Sequence, residues 1–567
     1  MSLSRYVQLL AVPAVVASLA GMPACAAAAS ERTASPVIAG VPRVPVHDLG
    51  RIAPSNRIDL TVSLPYRNEA QLDAVISAAS DPTSPMSGHF LTPRQFRDSF
   101  APTVAEQQRI IGALQSAGFT VTRTYPNRTI IDVAGRASDV ERYFKTEIHR
   151  VQQTDVGVRY ANARPAYLPP QLRSVFNIGG FDNLRILKPT YVRGQRGVGS
   201  NAALGPPLQG PDTGLGPYAF ASAYDLPVQH LVAGGKPGQT YDGKGHAAGV
   251  AIDADFLDSD LSAYLSYFNV TRTGPATVRV PVDGGAAPGL SFDSIETAID
   301  TETIVGLAPG VGLYVYLMPQ LSYVDILDTY NKVVSDDKVD TLNSSFGGCE
   351  LATSPATFPQ DSDHIAKQGA AEGITFNASS GDLGAQTCLF VTPNNLGVST
   401  PASGPHFSAV GGTTLIIRPD ATYKIEIAWN GSGGGVSGIF SLPSYQKGVK
   451  NIIAPTRNVP DVAFDANPGS GDSLYYNGAF IGPFGGTSLA SPIFSALVDE
   501  INQVHGKRSG LINSALYARY KKVGYGTQFR DITLGNNSFF GPGYNALPGY
   551  DQVTGIGSIV GWPYAKP

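Results

Sequence analysis

What most limits the fold of this 567-residue chain is an alternation between residues 246 and 417. Short apolar runs, HAAGVAIDADF (246–256), VGLYVYLMP (311–319), VDTLNSSFG (339–347), GITFNASSGD (373–382) and FSAVGGTTLII (407–417), read as strands. Helical spacing falls between them at 290–305, 322–335 and 362–372. Strands apolar on both faces and separated by helices predict an α/β fold, a mostly parallel sheet flanked by helices. In such sheets sites form at the carboxyl ends of the strands.

A different texture precedes it. Residues 57–185 predict a compact α+β unit. RIDLTVSLP (57–65) and NRTIIDVAG (127–135) read as strands, while NEAQLDAVISAAS (68–80), TVAEQQRIIGALQSAGF (103–119) and ASDVERYFKTEI (137–148) read as helices. From Lys188 to Pro217 apolar periodicity stops, and RGQRGVGSNAALGPPLQGPDTGLGP reads as an exposed, easily cut linker. At the start, residues 1–29 carry Arg5, an apolar run from Leu9 to Ala20 and small residues after it. This is the layout of a cleaved secretory signal, short for a membrane span, so the mature protein is expected to be secreted with no membrane span. A retained anchor and lipid attachment at Cys25 are the alternatives, the latter on a poorly matching MPAC box.

Charged residues make up 15% of the chain, net charge is −4, and Gly 63 and Pro 43 mark a loop-rich globular protein. Nothing here favours a polyanionic partner, so no nucleic-acid binding is expected. Cys349 and Cys388 remain after the leader; a disulfide and two buried thiols are both open. Cys/His spacing for zinc is absent.

Chemistry concentrates in a few stretches. FGGTSLASP (484–492) sets Ser488 in a glycine turn where an apolar helix begins, so it is a nucleophile or a helix cap. None of the eight histidines has a setting that suits a base; His246 precedes a strand, and His47, His89 and His149 lie in the first unit. Carboxylates suit better. In SFDSIETAIDTETIVGLAPG (291–310), Glu296 and Asp300 stand one turn apart and would share a proton, with Phe292, Ile295 and Ile299 as the apolar stripe. An ordinary solvated pair is the alternative, the role given to Asp293 and Glu302. Asp382, in NASSGDLGA, is a turn aspartate or, protonated, a donor to an oxyanion. Asp531 and Asp551 lie in glycine-rich turns that offer carbonyls to calcium or form Asx-turns.

Taken in order, E-x-x-x-D, NSSFGGCE, SSGDLG, VGGT, WNGSGGGVS and GGTSLASP resemble the sedolisins, the serine-carboxyl peptidases. HFLTPRQF and the closing YLPP and SVFNIGG resemble a kumamolisin-like activation propeptide, and the likeness runs from about residue 57 to 563. The resemblance implies a subtilisin-like peptidase domain at 218–567 behind a ferredoxin-like propeptide at 44–187, joined by the linker at 188–217 where maturation cuts. It implies Ser488 as nucleophile, Glu296 as base, Asp300 as its orienting carboxylate and Asp382 as oxyanion stabiliser. It also implies one Ca²⁺ held by Asp531, Asp551 and the carbonyls of Ile532, Leu547 and Gly549, although the family often has glycine at position 547 and tryptophan at 550. The substrate would be a protein or peptide, the propeptide an intramolecular inhibitor, and the molecule a monomer active in acid. Interface carboxylates protonated in acid would loosen the propeptide. Glycine-rich edges at Ser345–Gly348 and Gly433–Ser437 would pair with a peptide backbone, and Asp253 and Asp255 are candidates to extend the carboxylate set. Endopeptidase, tripeptidyl exopeptidase and a catalytically silent peptide binder all fit these motifs.

Overall fold

The computed structural model describes residues 36–154, 156–195, 204, 207–352, 357–389, 391–392 and 394–566. The leader at 1–29 lies outside the described residues. In the first unit four antiparallel strands run in the order Thr120–Thr124, Ile130–Arg136, Arg57–Ser63, Asn177–Gly179. Ile58, Leu60 and Val62, two residues apart, turn one face of the sheet into the core. Ile110, Leu114, Val140 and Phe144 from two helices, Val104–Ser116 and Ala137–Phe144, cover that face. Helix Val104–Ser116 opens with a reciprocal capping box between Thr103 and Glu106. The strand order is that of the ferredoxin-like arrangement. Strand Thr120–Thr124 was not expected, because TVTRT exposes polar groups on both faces.

The larger sheet has eight strands. Its order is Val278–Pro281, Gly312–Leu317, Ala247–Ile252, Thr341–Ser344, Thr375–Ser379, Phe407–Ile417, Tyr423–Ala428, with Val462–Asp465 also on Phe407–Ile417. Every pairing is parallel except that of Tyr423–Ala428. The predicted strand at 407–417 has its expected bounds, and helices at Asp293–Leu307, Tyr323–Asp336 and Thr357–Glu372 fill the expected places.

Helix Asp293–Leu307 departs from the sequence reading. It is buried nearly all round because helix Thr487–His505 and strand Ala247–Ile252 pack against it. Phe292, assigned to the apolar stripe, stands outside the helix and is 85% exposed. Glu302 is buried, not solvated, and accepts a 3.0 Å hydrogen bond from the Tyr475 N–H. Asp293 pairs with Arg185 at 2.6 Å. Cys349 and Cys388 form a disulfide, which closes a loop worth about 4 kcal/mol on the chain-entropy argument.

The two units meet across a polar and aromatic face. His364 is stacked between Tyr66 and Phe176, with centroids 3.6 and 4.2 Å away, and bonds the Leu64 carbonyl at 3.1 Å. Asp361 meets Asn177 at 3.3 Å, and Asp132 lies with Arg123, Asp283 and Asp328. Burial holds the His364 imidazole down at about 3 and pushes the Asp132 and Asp361 carboxyls up to about 7. A raised carboxyl stabilises the contact most at low pH and loses that contribution as pH climbs through 7; depressed His364 does the reverse. The same face carries ion pairs that acid weakens, Lys367 with Asp73 at 2.7 Å and Arg123 with Asp283 at 2.5 Å, so protonation acts on it in both directions.

Candidate active site

Helix Thr487–His505 begins at an N-cap glycine, Gly486, with no side-chain cap bond, so Ser488 does not serve as the cap. Its Oγ donates instead to Glu296 Oε2 at 2.8 Å. Glu296 and Asp300 are fully buried on the facing helix. Burial first, then the charge of Asp300, holds the Glu296 carboxyl well above its ordinary range, against the opposing bond from Ser488. Asp300 is raised by burial, opposed by Ser345 and Asn343. Two such groups hold one negative charge more readily than two.

Behind them runs a polar chain the sequence reading did not single out. Ser345 Oγ donates to Asp300 Oδ1 at 2.6 Å and accepts from Asn343 Nδ2 at 2.8 Å. Asn343 Oδ1 accepts from Asn377 Nδ2 at 2.8 Å and from Ser491 Oγ at 2.7 Å. The only sequence signal was N-S-S at the carboxyl end of an apolar strand, where the sheet architecture places sites.

Asp382 lies on the other side of Ser488. Its Oδ1 accepts from the Thr487 N–H and hydroxyl, both at 2.8 Å, and its Oδ2 has no partner among the described residues. Burial pushes this carboxyl up to about 7, so in acid it carries a proton it can donate. Gly486 has φ +104°, and a Cβ there would collide with both Asp382 Oδ2 and the Thr190 carbonyl. Only glycine fits where these two oxygens approach.

Thr190 belongs to the segment read as an exposed linker, and here that reading is corrected. Lys188–Pro189 pairs antiparallel with Phe346–Gly347, and Val192–Arg193 with Phe484–Gly485. Between them the Thr190 N–H donates to Ser345 O at 3.2 Å, and the Thr190 carbonyl accepts from the Ser488 N–H at 3.1 Å. Backbone pairing of this kind needs no apolar periodicity, which is why the segment looked featureless. The edge at 345–348 takes a peptide as expected. At the other, Gly435–Ser441 pairs on one side with Thr456–Val459 in a two-stranded sheet.

The remaining candidates separate from this centre. Asp253 pairs with Arg185 at 3.3 Å and Asp255 with Arg279 at 2.8 Å, so neither extends the Glu296 pair. His246 bonds Asp340 at 3.2 Å, and no histidine among the described residues bonds Ser488. Asp531 and Asp551 converge on one turn. The Gly549 N–H donates to both Asp531 oxygens at 3.2 and 3.1 Å, and the Leu547 N–H to Asp551 Oδ2 at 3.0 Å. Burial raises both carboxyls. No group of three or more His, Cys, Asp or Glu side chains suited to a metal occurs among the described residues. An ion here would need the carbonyls of this turn as well.

Residues 46–184 match the family described as Pro-kumamolisin, activation domain. Sedolisin of Pseudomonas sp. (strain 101) is 31% identical over 579 residues, covering 98% of this chain and 95% of that protein. The chain belongs to the sedolisin family. Kumamolisin of Bacillus sp. (strain MN-32) is 28% identical, covering 91% of this chain and 92% of its own length. Tripeptidyl-peptidase 1 of Mus musculus is 24% identical over 90% of this chain and 91% of its own length. A solved structure of Pseudomonas sedolisin, complexed with two molecules of pseudo-iodotyrostatin, is 29% identical with a TM-score of 0.55. It covers 62% of this chain and 97% of that one. As a member of the sedolisin family the chain is a serine-type peptidase proenzyme.

Proposed function

We propose that this is a secreted, acid-active serine-carboxyl endopeptidase that matures by cutting its own Thr190–Tyr191 bond. The observation that carries the reading is the seat of Thr190: its carbonyl oxygen rests on the Ser488 N–H while Ser488 Oγ bonds Glu296. Ser488 Oγ attacks the Thr190 carbonyl carbon as Glu296 takes its proton. The Ser488 N–H and protonated Asp382 hold the oxyanion. Glu296, positioned by Asp300, then passes the proton to the Tyr191 nitrogen as the bond to carbon breaks, leaving Thr190 as an ester on Ser488. Water, deprotonated by Glu296, releases it. Activity needs Asp382 protonated, so it falls as pH rises through about 7.

The endopeptidase reading is favoured over the tripeptidyl one by the course of the chain. A tripeptide cutter would require a free amine at Lys188, three residues before the bond. Here the chain runs on through Leu187, which is 3% exposed in the core beside Leu321 and Phe346. The linked geometry of Ser488, Glu296, Asp300 and Asp382 speaks against a silent relative. Secretion rests on the leader's composition and the chain's light charge; no helix among the described residues is long and apolar enough to cross a membrane. The test is acid incubation of the full chain with mass analysis. A new amino terminus at Tyr191 is expected in the native protein and none in Ser488→Ala, and maturation of that variant by itself would refute the reading.

The turn at 547–551 with Asp531 is proposed to hold one calcium ion, through both carboxylates and the carbonyls of Ile532, Leu547 and Gly549. Two partly or wholly buried aspartates with no cation beside them among the described residues support it. When bound, calcium supplies the missing positive charge and ties these loops together. A chelator should lower Tm by several degrees, as expected for loss of a ligand held only by the folded state, and calcium should restore it. An unchanged Tm would dismiss the site.

A further inference from the structure

The residue after Thr190 is as closely held as Thr190 itself. The Tyr191 ring packs against an apolar cluster of Ala298, Ile299, Leu474 and Phe484, beside Ile295 and Tyr476. Its centroid lies 5.9 Å from that of Phe484 at 61°, the edge-to-face arrangement aromatic pairs favour. Its hydroxyl donates to the Phe292 carbonyl at 3.1 Å. That oxygen also accepts from the Ile295 N–H at 3.2 Å, so both of its lone pairs are used.

These residues come from the start of the base helix, the 474–476 segment and the strand before Ser488. All belong to the peptidase part, and Leu474 and Phe484 are almost wholly buried. The pocket therefore does not depend on the propeptide. Its far wall is formed by the helix that carries Glu296, one residue from Ile295.

We propose that this pocket is a specificity subsite for the amine side of the bond cut, and that it selects an aromatic residue there, tyrosine first. The inference rests on the peptidase reading and on Thr190–Tyr191 as the bond cut. A flat ring fills the gap between Ile295 and Phe484. A small aliphatic side chain leaves part of that apolar surface wet, and an acidic one sets a carboxylate beside Asp293 and Glu296. The Phe292 carbonyl distinguishes tyrosine from phenylalanine, because only tyrosine brings a donor to it.

The test uses the full chain after its own acid maturation and peptides of sequence RILKPT-X-VRG, the chain's residues 185–194 with position 191 varied. For cutting between Thr and X, kcat/KM is expected to be about 10-fold or more higher for Tyr and Phe than for Ala, with Asp lowest. Tyr should exceed Phe by roughly threefold, the worth of one partly exposed hydrogen bond. Ile295→Asp should reverse the order, favouring X = Lys over Tyr; if that variant does not fold, the peptide series on the native protein decides alone. A profile flat within threefold, with cutting still between Thr and X, overturns the subsite and leaves the peptidase reading standing. Cutting elsewhere in the peptide overturns the bond assignment. No cutting of any peptide overturns the peptidase reading, and the subsite with it.

Discussion

Glu296→Gln is expected to lower kcat by a factor on the order of 10⁴ to 10⁶, the loss seen when the base of a nucleophilic serine is removed. That corresponds to roughly 5–8 kcal/mol of barrier. The substitution is nearly isosteric, and the amide oxygen can still accept the 2.8 Å bond from Ser488 Oγ. What it cannot do is take the proton. Stability should move the other way, because Glu296 is wholly buried and its ionised form is disfavoured by that burial and by Asp300. The substituted amide carries no charge, so Tm should be equal or slightly higher. Turnover within tenfold of the native protein would remove Glu296 from the role of base, and a collapse in Tm would mean that lost activity reported lost structure.

Asp382→Ala should cost about 10²- to 10³-fold in kcat, or roughly 3–4 kcal/mol, with KM little changed, as for the loss of one oxyanion donor. The reason lies in which oxygen is free. Oδ1 is occupied by Thr487, while Oδ2 lies next to the Cβ-free space of Gly486, as does the Thr190 carbonyl. A pH profile separates a donor from a structural support. The Asp382 carboxyl is raised to about 7, so the donor is present below that value and lost as pH rises through it. Asp382→Asn keeps an N–H donor at every pH, and its profile should no longer fall through that region. An unchanged upper limb would mean that another group sets it.

The sequence made the architecture legible because burial on both faces writes itself as apolar runs, as at 407–417, where the predicted and observed strands coincide. It misled where packing is not one-sided. Helix Asp293–Leu307 is enclosed all round, so its sequence shows no clean stripe, and Phe292 was drawn into a stripe that does not exist. The pair Glu296 and Asp300 could be read from spacing, but not their burial, which depends on a helix nearly two hundred residues later. Ser345, Asn343 and Asn377 were invisible as a group because their contacts join two strands and a helix far apart in sequence. Thr190 was hidden for a different reason. Its importance lies in main-chain atoms, which every residue has.

If the Thr190–Tyr191 bond is the one cut, the threading of residues 188–193 through the cleft, with strand pairing on both sides of Thr190, also sets the kinetics of that cut. Substrate and catalyst are one molecule, already docked, so this turnover has no encounter step and dilution cannot slow it. Hydrolysis there would leave two chain ends still paired in place, one of them the fresh ammonium of Tyr191 close to the Glu296 carboxyl. The newly cut enzyme would thus begin as its own product complex, and those ends must depart before the first foreign peptide can enter.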